Sequence, residues 1–316
     1  MKRISRRKFI SISSIAVGLS ILPSSLQANV KKASWEGYAL GAQANITLYH
    51  FDELYIKNIL QECVIEIRRL EQIFSLFHRN SSIVRLNKNS FINNPPKELV
   101  ELLTFSNKIS SISNGSFDVT VQALWNLHSK YYSNNKNFDS KNFQKELKEV
   151  KKNIGWEKIL ISTKKIRFKE KNTRITLNGI AQGFITDRIT DLLSRRGFSN
   201  ALINLGEIRS LGNHHNGDSW KIGFSQIDKN TKLPNYVELK NQAIATSEIY
   251  GTKFNDKYHH IFNPRTGTSA NFTKSVTIIA PTATLADALS TTVAVMPRKN
   301  SKKLLDSFKN VSSYIV

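Results

Sequence analysis

The clearest hydrophobic pattern in the chain lies between residues 53 and 74. Apolar side chains recur there at intervals of three or four, which places them on one face of an α-helix. They are Ile56, Ile59, Cys63, Ile67, Leu70 and Phe74. Asp52 stands where a side chain can cap the first turn. The pattern predicts a helix from Glu53 to Phe74.

Four more helices are predicted from apolar spacing and stop signals. Their expected positions are Pro96 to Asn114, Ile180 to Arg196, and two helices that begin near Thr282 and Lys299. Gly115 and Gly197 follow the first two helices, and glycine at that place is typical of a helix end.

Short β-rich segments dominate the second half of the chain. They are Ile159 to Ile161, Ile166 to Phe168, Arg174 to Leu177, Ala201 to Leu205, Lys221 to Phe224 and Ser275 to Ala280. An earlier strand is predicted from Tyr38 to Tyr49, with Gly41 as a bulge or a point of close approach. Strands in runs without a regular βαβ repeat indicate an α+β fold. We expect one layered domain over residues 29–316, with mixed β-sheets flanked by helices.

The first 28 residues read as a targeting segment. Arg6 and Arg7 precede an uncharged run from Ile10 to Leu22, which is short for a membrane span. This order is similar to a twin-arginine signal, so we expect export to the periplasm. A membrane anchor that stays attached is the alternative.

The chain is strongly basic. Its 46 Lys and Arg residues against 24 Asp and Glu give a net charge of +22, of which five positive charges lie in the targeting segment. Such an excess attracts anionic membrane surfaces or phosphate-bearing substrates, and export argues against nucleic acid. The alternative is a composition bias with solvated charges, because the lysines are spread along the chain.

Several widespread catalytic signatures are absent from the sequence. It has no G-x-G-x-x-G, P-loop, G-x-S-x-G, C-x-x-C or H-E-x-x-H motif. Cys63 is the single cysteine, which excludes an internal disulfide. Its place in a helical apolar pattern favours core packing.

Asp287 and Thr291 are four residues apart in the predicted helix near Thr282. This spacing puts a carboxylate and a hydroxyl on one helix face, and such oxygen ligands suit Mg²⁺. The alternative is a first-turn carboxylate beside a threonine bonded to its own helix backbone.

Three weaker patterns accompany this pair. Gly179 and Gly183 lie at a strand-to-helix junction, where backbone can approach an anionic ligand. His260 precedes a Pro/Gly turn and can serve as a base, and Phe117-Asp118 can contact a planar ring. Each pattern also fits a purely structural role. His259, His214 and His215 receive no functional weight.

In their order along the chain, these patterns resemble the ApbE family of FAD:protein FMN transferases. The resemblance covers nearly the whole chain after the signal. Its blocks are Leu40-Gly41-Ala42, Phe74-Ser75, Ser82 to Asn87, Phe117-Asp118, Gly179 to Gly183 with Asp187, Asn204-Leu205-Gly206, Ala245-Thr246-Ser247, His260 to Gly267 and Asp287 to Thr291.

The resemblance implies an ApbE-like fold and a Mg²⁺-dependent enzyme. The enzyme would split FAD, join FMN through its phosphate to a Thr or Ser of an exported or membrane-anchored respiratory flavoprotein, and release AMP. The implied metal ligands are Asp287, Thr291 and the Gly179 carbonyl, and the implied catalytic residues are Asp287 and His260. The implied FAD contacts are Leu40, Phe77, Ser116, Phe117, Asp118, Thr176, Gly179, Gln182, His260 and Ile261.

Five positions depart from the residues usual in that family. Thr176 and Asn263 replace aspartate, Gln182 replaces lysine or glutamate, and Glu207 and Glu248 replace glycine. Two other functions therefore stay open, namely an FAD pyrophosphatase that uses water and a non-catalytic flavin-binding maturation factor.

Overall fold

The structure is a computed structural model that describes residues 30–132, 139–224, 233–255 and 258–316. The expected targeting segment at residues 1–28 lies outside the described residues. Within them, no helix combines the length and the apolar character needed to cross a membrane.

The described residues form eight α-helices and twelve β-strands. In chain order they are β1 Lys31–Ala39, β2 Ala42–His50, α1 Glu53–Phe74, α2 Ser82–Asn89, β3 Phe91–Asn93, α3 Lys97–Ile112, α4 Gln122–Tyr132, α5 Ser140–Lys151, β4 Ile159–Ile161, β5 Lys165–Phe168, α6 Ala181–Arg195, β6 Ala201–Asn204, β7 Ile208–Leu211, β8 Trp220–Gly223, β9 Tyr236–Leu239, β10 Ala243–Glu248, β11 Ser275–Ala280, α7 Ala283–Ala294, α8 Arg298–Leu305 and β12 Ser312–Ile315.

A seven-stranded sheet forms the centre of the fold, with the order β1-β2-β6-β7-β10-β11-β12. Smaller sheets are built from β3-β5-β4 and from β8-β9. All pairs of named strands in the described chain are antiparallel, so the expectation of mixed sheets is corrected to antiparallel ones. The α+β class is confirmed.

Helix α1 has the predicted bounds. The side chain of Asp52 accepts a hydrogen bond from the Tyr55 N–H and caps the first turn, as expected. The predicted apolar face is buried, and Cys63 lies in the main core, where burial raises the pKa of its thiol to about 12. The cysteine therefore contributes packing.

The predicted strand from Tyr38 to Tyr49 is in fact a hairpin. Leu40 and Gly41 form its two-residue turn with φ of +48° and +85°, and β1 pairs with β2 over nine residues on each side. Positive φ at both central positions is characteristic of the tight turns that match strand twist. Gly41 therefore lies in a tight turn, whereas a bulge or a point of close approach was expected.

The predicted strand from Arg174 to Leu177 is wrong. Only Arg174 forms an isolated bridge, with Val121. At Ile175 the side-chain amide of Asn87 accepts from the backbone N–H and donates to the backbone C=O, both at 2.8 Å. The Asn87 side chain thus supplies the two backbone hydrogen bonds at Ile175 that a neighbouring strand would otherwise supply.

Helices α1, α6 and α7 pack against one face of the central sheet. The opposite face carries a smaller cluster that includes Leu202, Ile208 and Ile244, and the β8–β9 sheet covers it. Helices α6 and α7 approach at Gly183, where an added Cβ would lie 2.3 Å from the Ala283 carbonyl oxygen. This close approach places the first turn of α6 beside the first turns of α7.

Candidate active site

A cleft of about 250 Å³ opens between α7, the turn before α6, the β1–β2 turn and the loops at residues 116–118, 250–252 and 260–262. It brings together residues from both ends of the described chain. The expected site residues that line it are Leu40, Ser116, Phe117, Asp118, Thr176, Gly179, Gln182, His260, Ile261, Asp287 and Thr291.

Phe77 is the one expected contact that the structure does not bring to this cleft. It follows α1 on a turn in which its N–H donates to Ser75 Oγ, and its side chain is 62% exposed. A contact between Phe77 and a flavin stays a prediction without support from this geometry.

Gly179 lies directly against Thr291. A Cβ atom on Gly179 would stand 2.8 Å from Thr291 Oγ1 and 3.1 Å from its Cγ2. Such distances leave no room for a side chain, so the glycine lets the turn before α6 reach α7. The Gly179 backbone and the Thr291 hydroxyl consequently meet at one point of the cleft.

Asp287 lies one turn before Thr291 on the same face of α7 and is only 4% exposed. Its Oδ2 accepts a hydrogen bond of 3.0 Å from the Gly183 N–H. Burial raises the pKa of this carboxyl to about 7, and although the Gly183 N–H opposes the rise, the charge of Asp187 adds to it. A bound cation would offset the cost of the buried charge.

The alternative interpretation of this pair is wrong. Asp287 is the fifth residue of α7, outside the first turn, and the threonine that bonds to its own helix backbone is Thr292, through the Ala288 carbonyl. Thr291 Oγ1 instead lies 3.2 Å from Ser247 Oγ on β10. Ser247 also lies 2.7 Å from Ser290 Oγ, so β10 orients the Thr291 hydroxyl.

Asp187 fixes the start of α7, a role that no local pattern indicated. Its carboxylate accepts from the backbone N–H groups of Ala283 and Thr284, both at 2.8 Å, and from the Thr284 hydroxyl. Arg209 on β7 forms a salt bridge of 2.6 Å with the same carboxylate. A negative charge at a helix N-terminus is favourable, and here it ties α7 to α6 and to the sheet.

The loop side of the cleft is organised by Asp118. One carboxylate oxygen accepts from the Thr120 N–H and hydroxyl, at 2.8 and 2.6 Å, and the other accepts from the Trp156 N–H at 3.0 Å. Burial nevertheless raises the pKa of Asp118 to about 6. These bonds hold the adjacent Phe117 at the cleft wall, where it is 4% exposed.

His260 occupies the same side of the cleft. Its Nδ1 lies 3.2 Å from both the backbone N and the backbone O of Thr252. An added Cβ on Gly251 would stand 2.9 Å from the imidazole, so this glycine makes room for the ring. Nδ1 can therefore accept from the Thr252 N–H or donate to the Thr252 carbonyl, depending on the tautomer. The tautomer that donates to the carbonyl has Nε2 as its basic nitrogen.

Two further glutamates, Glu207 and Glu248, also line the cleft. Burial raises the pKa of Glu207 well above its usual value, and the nearby charge of Asp287 raises it further. Burial likewise raises the pKa of Glu248 to about 7. The cleft therefore holds more buried carboxyl groups than the expected site required.

The remaining expected residues are held by separate contacts. The Leu40 N–H donates to Glu71 Oε1 at 2.8 Å, and Thr176 Oγ1 accepts from the Asn178 N–H. Gln182 packs on Gly206, where an added Cβ would stand 2.3 Å from the amide nitrogen of the glutamine.

In the described residues, no three His, Cys, Asp or Glu side chains come together as a metal site. The expected ligand set combines a single carboxylate with a hydroxyl and a backbone carbonyl, from Asp287, Thr291 and Gly179. All three are hard oxygen donors of the type that Mg²⁺ prefers. This set fits a Mg²⁺ ion that also receives oxygen ligands from substrate phosphates and water.

Comparisons with known proteins point to one family. Its model, described as the ApbE family, matches residues 40–315. A FAD:protein FMN transferase of Haemophilus influenzae is 25% identical over 327 residues, which cover 96% of this chain and 91% of that protein. An Escherichia coli protein with the same description is 22% identical and covers 85% and 80% of the two chains.

Solved structures agree with this match. The flavin transferase ApbE from Vibrio cholerae superposes with a TM-score of 0.78 at 20% identity and covers 90% of this chain and 93% of that one. The ApbE protein of Thermotoga maritima has a TM-score of 0.75 at 28% identity, with coverages of 90% and 94%. Because the family model spans most of the chain and the fold agrees, this protein belongs to the ApbE family.

Proposed function

We propose that this protein is a Mg²⁺-dependent FAD:protein FMN transferase that acts on an exported flavoprotein. The observation that carries the proposal is the meeting of Asp287, Thr291 and the Gly179 turn in a cleft that also contains His260 and Phe117. Family membership supports the flavin chemistry, since similar proteins are described as FAD:protein FMN transferases.

The metal site is supported by two features of the chain. Asp287 is buried and its pKa is raised to about 7, so the hydrogen bond from the Gly183 N–H does not offset the cost of burying the ionised carboxylate. The Gly179 backbone packs directly against the Thr291 hydroxyl, which brings the turn before α6 and the hydroxyl to one place in the cleft. When bound there, Mg²⁺ would neutralise charge on the two FAD phosphates.

The transfer requires one bond to form and one to break. The hydroxyl oxygen of an acceptor Thr or Ser bonds to the phosphorus on the FMN side, and the bond from that phosphorus to the bridging oxygen breaks, releasing AMP. His260 Nε2 takes the hydroxyl proton. Asp287, Thr291 and Gly179 position the pyrophosphate, which is the main task of a protein in phosphoryl transfer.

Phe117 and Asp118 form the wall that faces the other part of the substrate. The buried aromatic ring offers a flat apolar surface for a flavin or adenine. Asp118 contributes by fixing the turn that carries Phe117, because both of its carboxylate oxygens already accept hydrogen bonds from Thr120 and Trp156.

Location and acceptor complete the proposal. The paired Arg6 and Arg7 ahead of an apolar run support export to the periplasm, where a respiratory flavoprotein would be the acceptor. Cell fractionation of a strain that carries an Arg6→Lys/Arg7→Lys double variant tests this export. Retention of the variant in the cytoplasm is expected, and unchanged periplasmic recovery would contradict it.

The activity is tested by incubating the protein with FAD, Mg²⁺ and a candidate exported acceptor. We expect a covalent fluorescent band on the acceptor and one AMP per label. Asp287→Asn should lower the labelling rate about a hundredfold or more. The exposed Asp306→Asn serves as the matched control and should label like the unaltered protein.

Three other outcomes would redirect the proposal. AMP release without any label on the acceptor indicates hydrolysis with water. Tight FAD binding without AMP or label indicates a non-catalytic flavin-binding role. Equal labelling by Asp287→Asn would remove the metal mechanism.

A further inference from the structure

A fully buried histidine, His128, lies on α4 outside the cleft. Aromatic rings surround its imidazole at centroid distances between 4.8 and 5.8 Å, and they belong to Tyr132, Phe143, Phe254, Tyr258 and Phe262. An apolar box of this kind packs equally well around a phenyl ring. Packing alone therefore does not require a histidine at this position, and the proposed transfer does not use it.

The direction of the hydrogen bond made by this imidazole is fixed. His128 Nε2 lies 3.1 Å from the carbonyl oxygen of Gly267, which is 139 residues away in the sequence. A carbonyl oxygen only accepts, so Nε2 carries the proton and donates. In the neutral ring Nδ1 then carries the lone pair, and it has no hydrogen-bond partner among the described residues.

The surroundings of His128 favour its neutral form. Burial lowers the pKa of the imidazole, and the bond to the Gly267 carbonyl opposes only part of that shift. A buried ring nitrogen without a partner is unfavourable, and a phenyl ring would avoid that cost. The donated hydrogen bond is therefore the one property of His128 that a phenylalanine could not supply.

The acceptor of this bond lies in a hairpin at residues 259–270, which also carries His260. The Ala270 N–H donates to the Ile261 carbonyl at 2.9 Å, and a bond of 2.8 Å from the Gly267 N–H closes the turn. His260 and Ile261 both line the cleft. The position of the turn therefore affects the position of His260.

Gly267 allows this turn to lie against α4 and α5. Its φ is +76°, and an added Cβ would stand 2.8 Å from Leu147 Cδ1 and 3.3 Å from Leu124 Cδ2. Because the contact is buried, loss of the His128 donor would leave the Gly267 carbonyl without this partner. The turn can regain a partner by moving toward solvent.

The same turn also contacts the other loop of the cleft. The guanidinium group of Arg265 donates to the Asn114 carbonyl at 2.7 Å, shortly before Phe117 in the sequence. The turn at residues 263–267 therefore joins α4, the segment that carries His260 and the loop that carries Phe117.

We infer that His128 is a positioning residue for His260, because its Nε2–H group holds the turn at residues 263–267 against α4. The inference rests on the proposed role of His260 as the base in FMN transfer. Without the donor, the turn shifts and His260 moves relative to the acceptor hydroxyl. A displacement of about 1 Å is enough to slow a reaction between positioned groups up to about a hundredfold.

The test compares two substitutions that separate the donor from the ring. His128→Gln keeps an N–H donor near the position of Nε2 and loses the ring, whereas His128→Phe keeps the ring and loses the donor. We expect His128→Phe to lower kcat of FMN transfer about tenfold and FAD affinity less than about threefold, while His128→Gln keeps kcat within about threefold. The exposed Asn126→Ala on the same helix is the control and should transfer like the unaltered protein.

A second measurement does not depend on transfer. Hydrogen exchange, read by mass spectrometry, reports local opening of the hairpin. Peptides from residues 259–270 should exchange about tenfold faster in His128→Phe than in His128→Gln or the unaltered protein. Peptides from α7 should exchange equally in all three proteins. Circular dichroism establishes that each variant is folded, and His128→Leu replaces His128→Phe if that variant fails to fold.

The inference is overturned by any of three results. The first is an unchanged kcat in folded His128→Phe. The second is a loss in His128→Gln that equals or exceeds the loss in His128→Phe, which would assign His128 to packing. The third is unchanged exchange over residues 259–270 in His128→Phe. If the unaltered protein transfers no FMN, the proposed function fails, and hydrogen exchange still decides whether His128 holds the turn.

Discussion

The two sides of the cleft are built in different ways. On the helix side, α6 and α7 touch through backbone at Gly183, and Asp187 caps α7 from the neighbouring helix. On the loop side, Phe117 and His260 are placed by turns whose hydrogen bonds run through Asp118 and Thr252.

This difference indicates a division of labour. Close-packed helices keep Asp287 and Thr291 fixed relative to Gly179, as the positioning of a metal and two phosphates requires. Turns have fewer packed contacts and open at lower free energy than core helices. We therefore expect substitutions on the helix side to lower global stability, and those on the loop side to lower ligand affinity.

Gly183→Ala tests the helix side and should have the largest effect. The new methyl group would clash with backbone at Ala283 and with Cβ of Asp287, so the two helices must separate. We expect the free energy of unfolding to fall by about 3 kcal/mol. Urea denaturation measures it, with the exposed Ser194→Ala on the same helix as control. Unchanged stability would show that the helix contact is not tight.

Asp118→Ala tests the loop side. The variant leaves three donors without their acceptor, and loss of the buried carboxyl, whose pKa is raised to about 6, offsets only part of that cost. We expect the unfolding free energy to fall by about 2 kcal/mol, less than for Gly183→Ala, while FAD affinity falls about tenfold. Fluorescence titration with FAD measures the affinity, and Asp306→Ala is the control. A large loss of stability with normal FAD binding would reverse the comparison.

Glu248→Gln tests a residue at the end of β10, next to Ser247. Because burial raises the pKa of Glu248 from 4.5 to about 7, the folded state binds an extra proton between those pH values. The wild-type protein therefore loses stability from this group as pH rises through that window. The variant should be more stable at pH 8 by about 1 kcal/mol, a figure reduced for the partial exposure of the group.

The advantage of Glu248→Gln should shrink as pH falls from 7 toward 4.5. Thermal unfolding at several pH values measures it, and the exposed Glu238→Gln on β9 is the control. An advantage that does not depend on pH would show that ionisation of Glu248 is not the cause.

The sequence correctly predicted those helices and strands whose apolar spacing and capping residues lie within or beside the element itself. Helix α1, its Asp52 cap, and strands β4 and β11 appear at the expected bounds, because burial of one face and capping are short-range properties. The segment at Arg174 to Leu177 was mispredicted for the opposite reason, because its structure depends on Asn87, which is distant in the sequence. The hairpin was mispredicted although its two strands are adjacent, because the alternating pattern did not reveal the two-residue turn at Leu40 and Gly41.

The site itself followed mainly from the family resemblance. Spacing alone could relate Asp287 to Thr291, but it could not place Gly179 against them or show that Asp187 holds the start of α7. Ser247 was part of a family block, yet its contact with Thr291 spans 44 residues and arises only when β10 packs on α7. Contacts between residues this far apart leave no periodic pattern in the amino-acid sequence.

The proposed cation site at α7 is tested most directly by the effect of Mg²⁺ on FAD binding, measured by flavin fluorescence in the unaltered protein and in Asp287→Asn. We predict that Mg²⁺ tightens FAD binding at least tenfold in the unaltered protein and has no effect in the variant. An equal gain in both proteins would show that the cation does not lie against α7 and would contradict the proposed site.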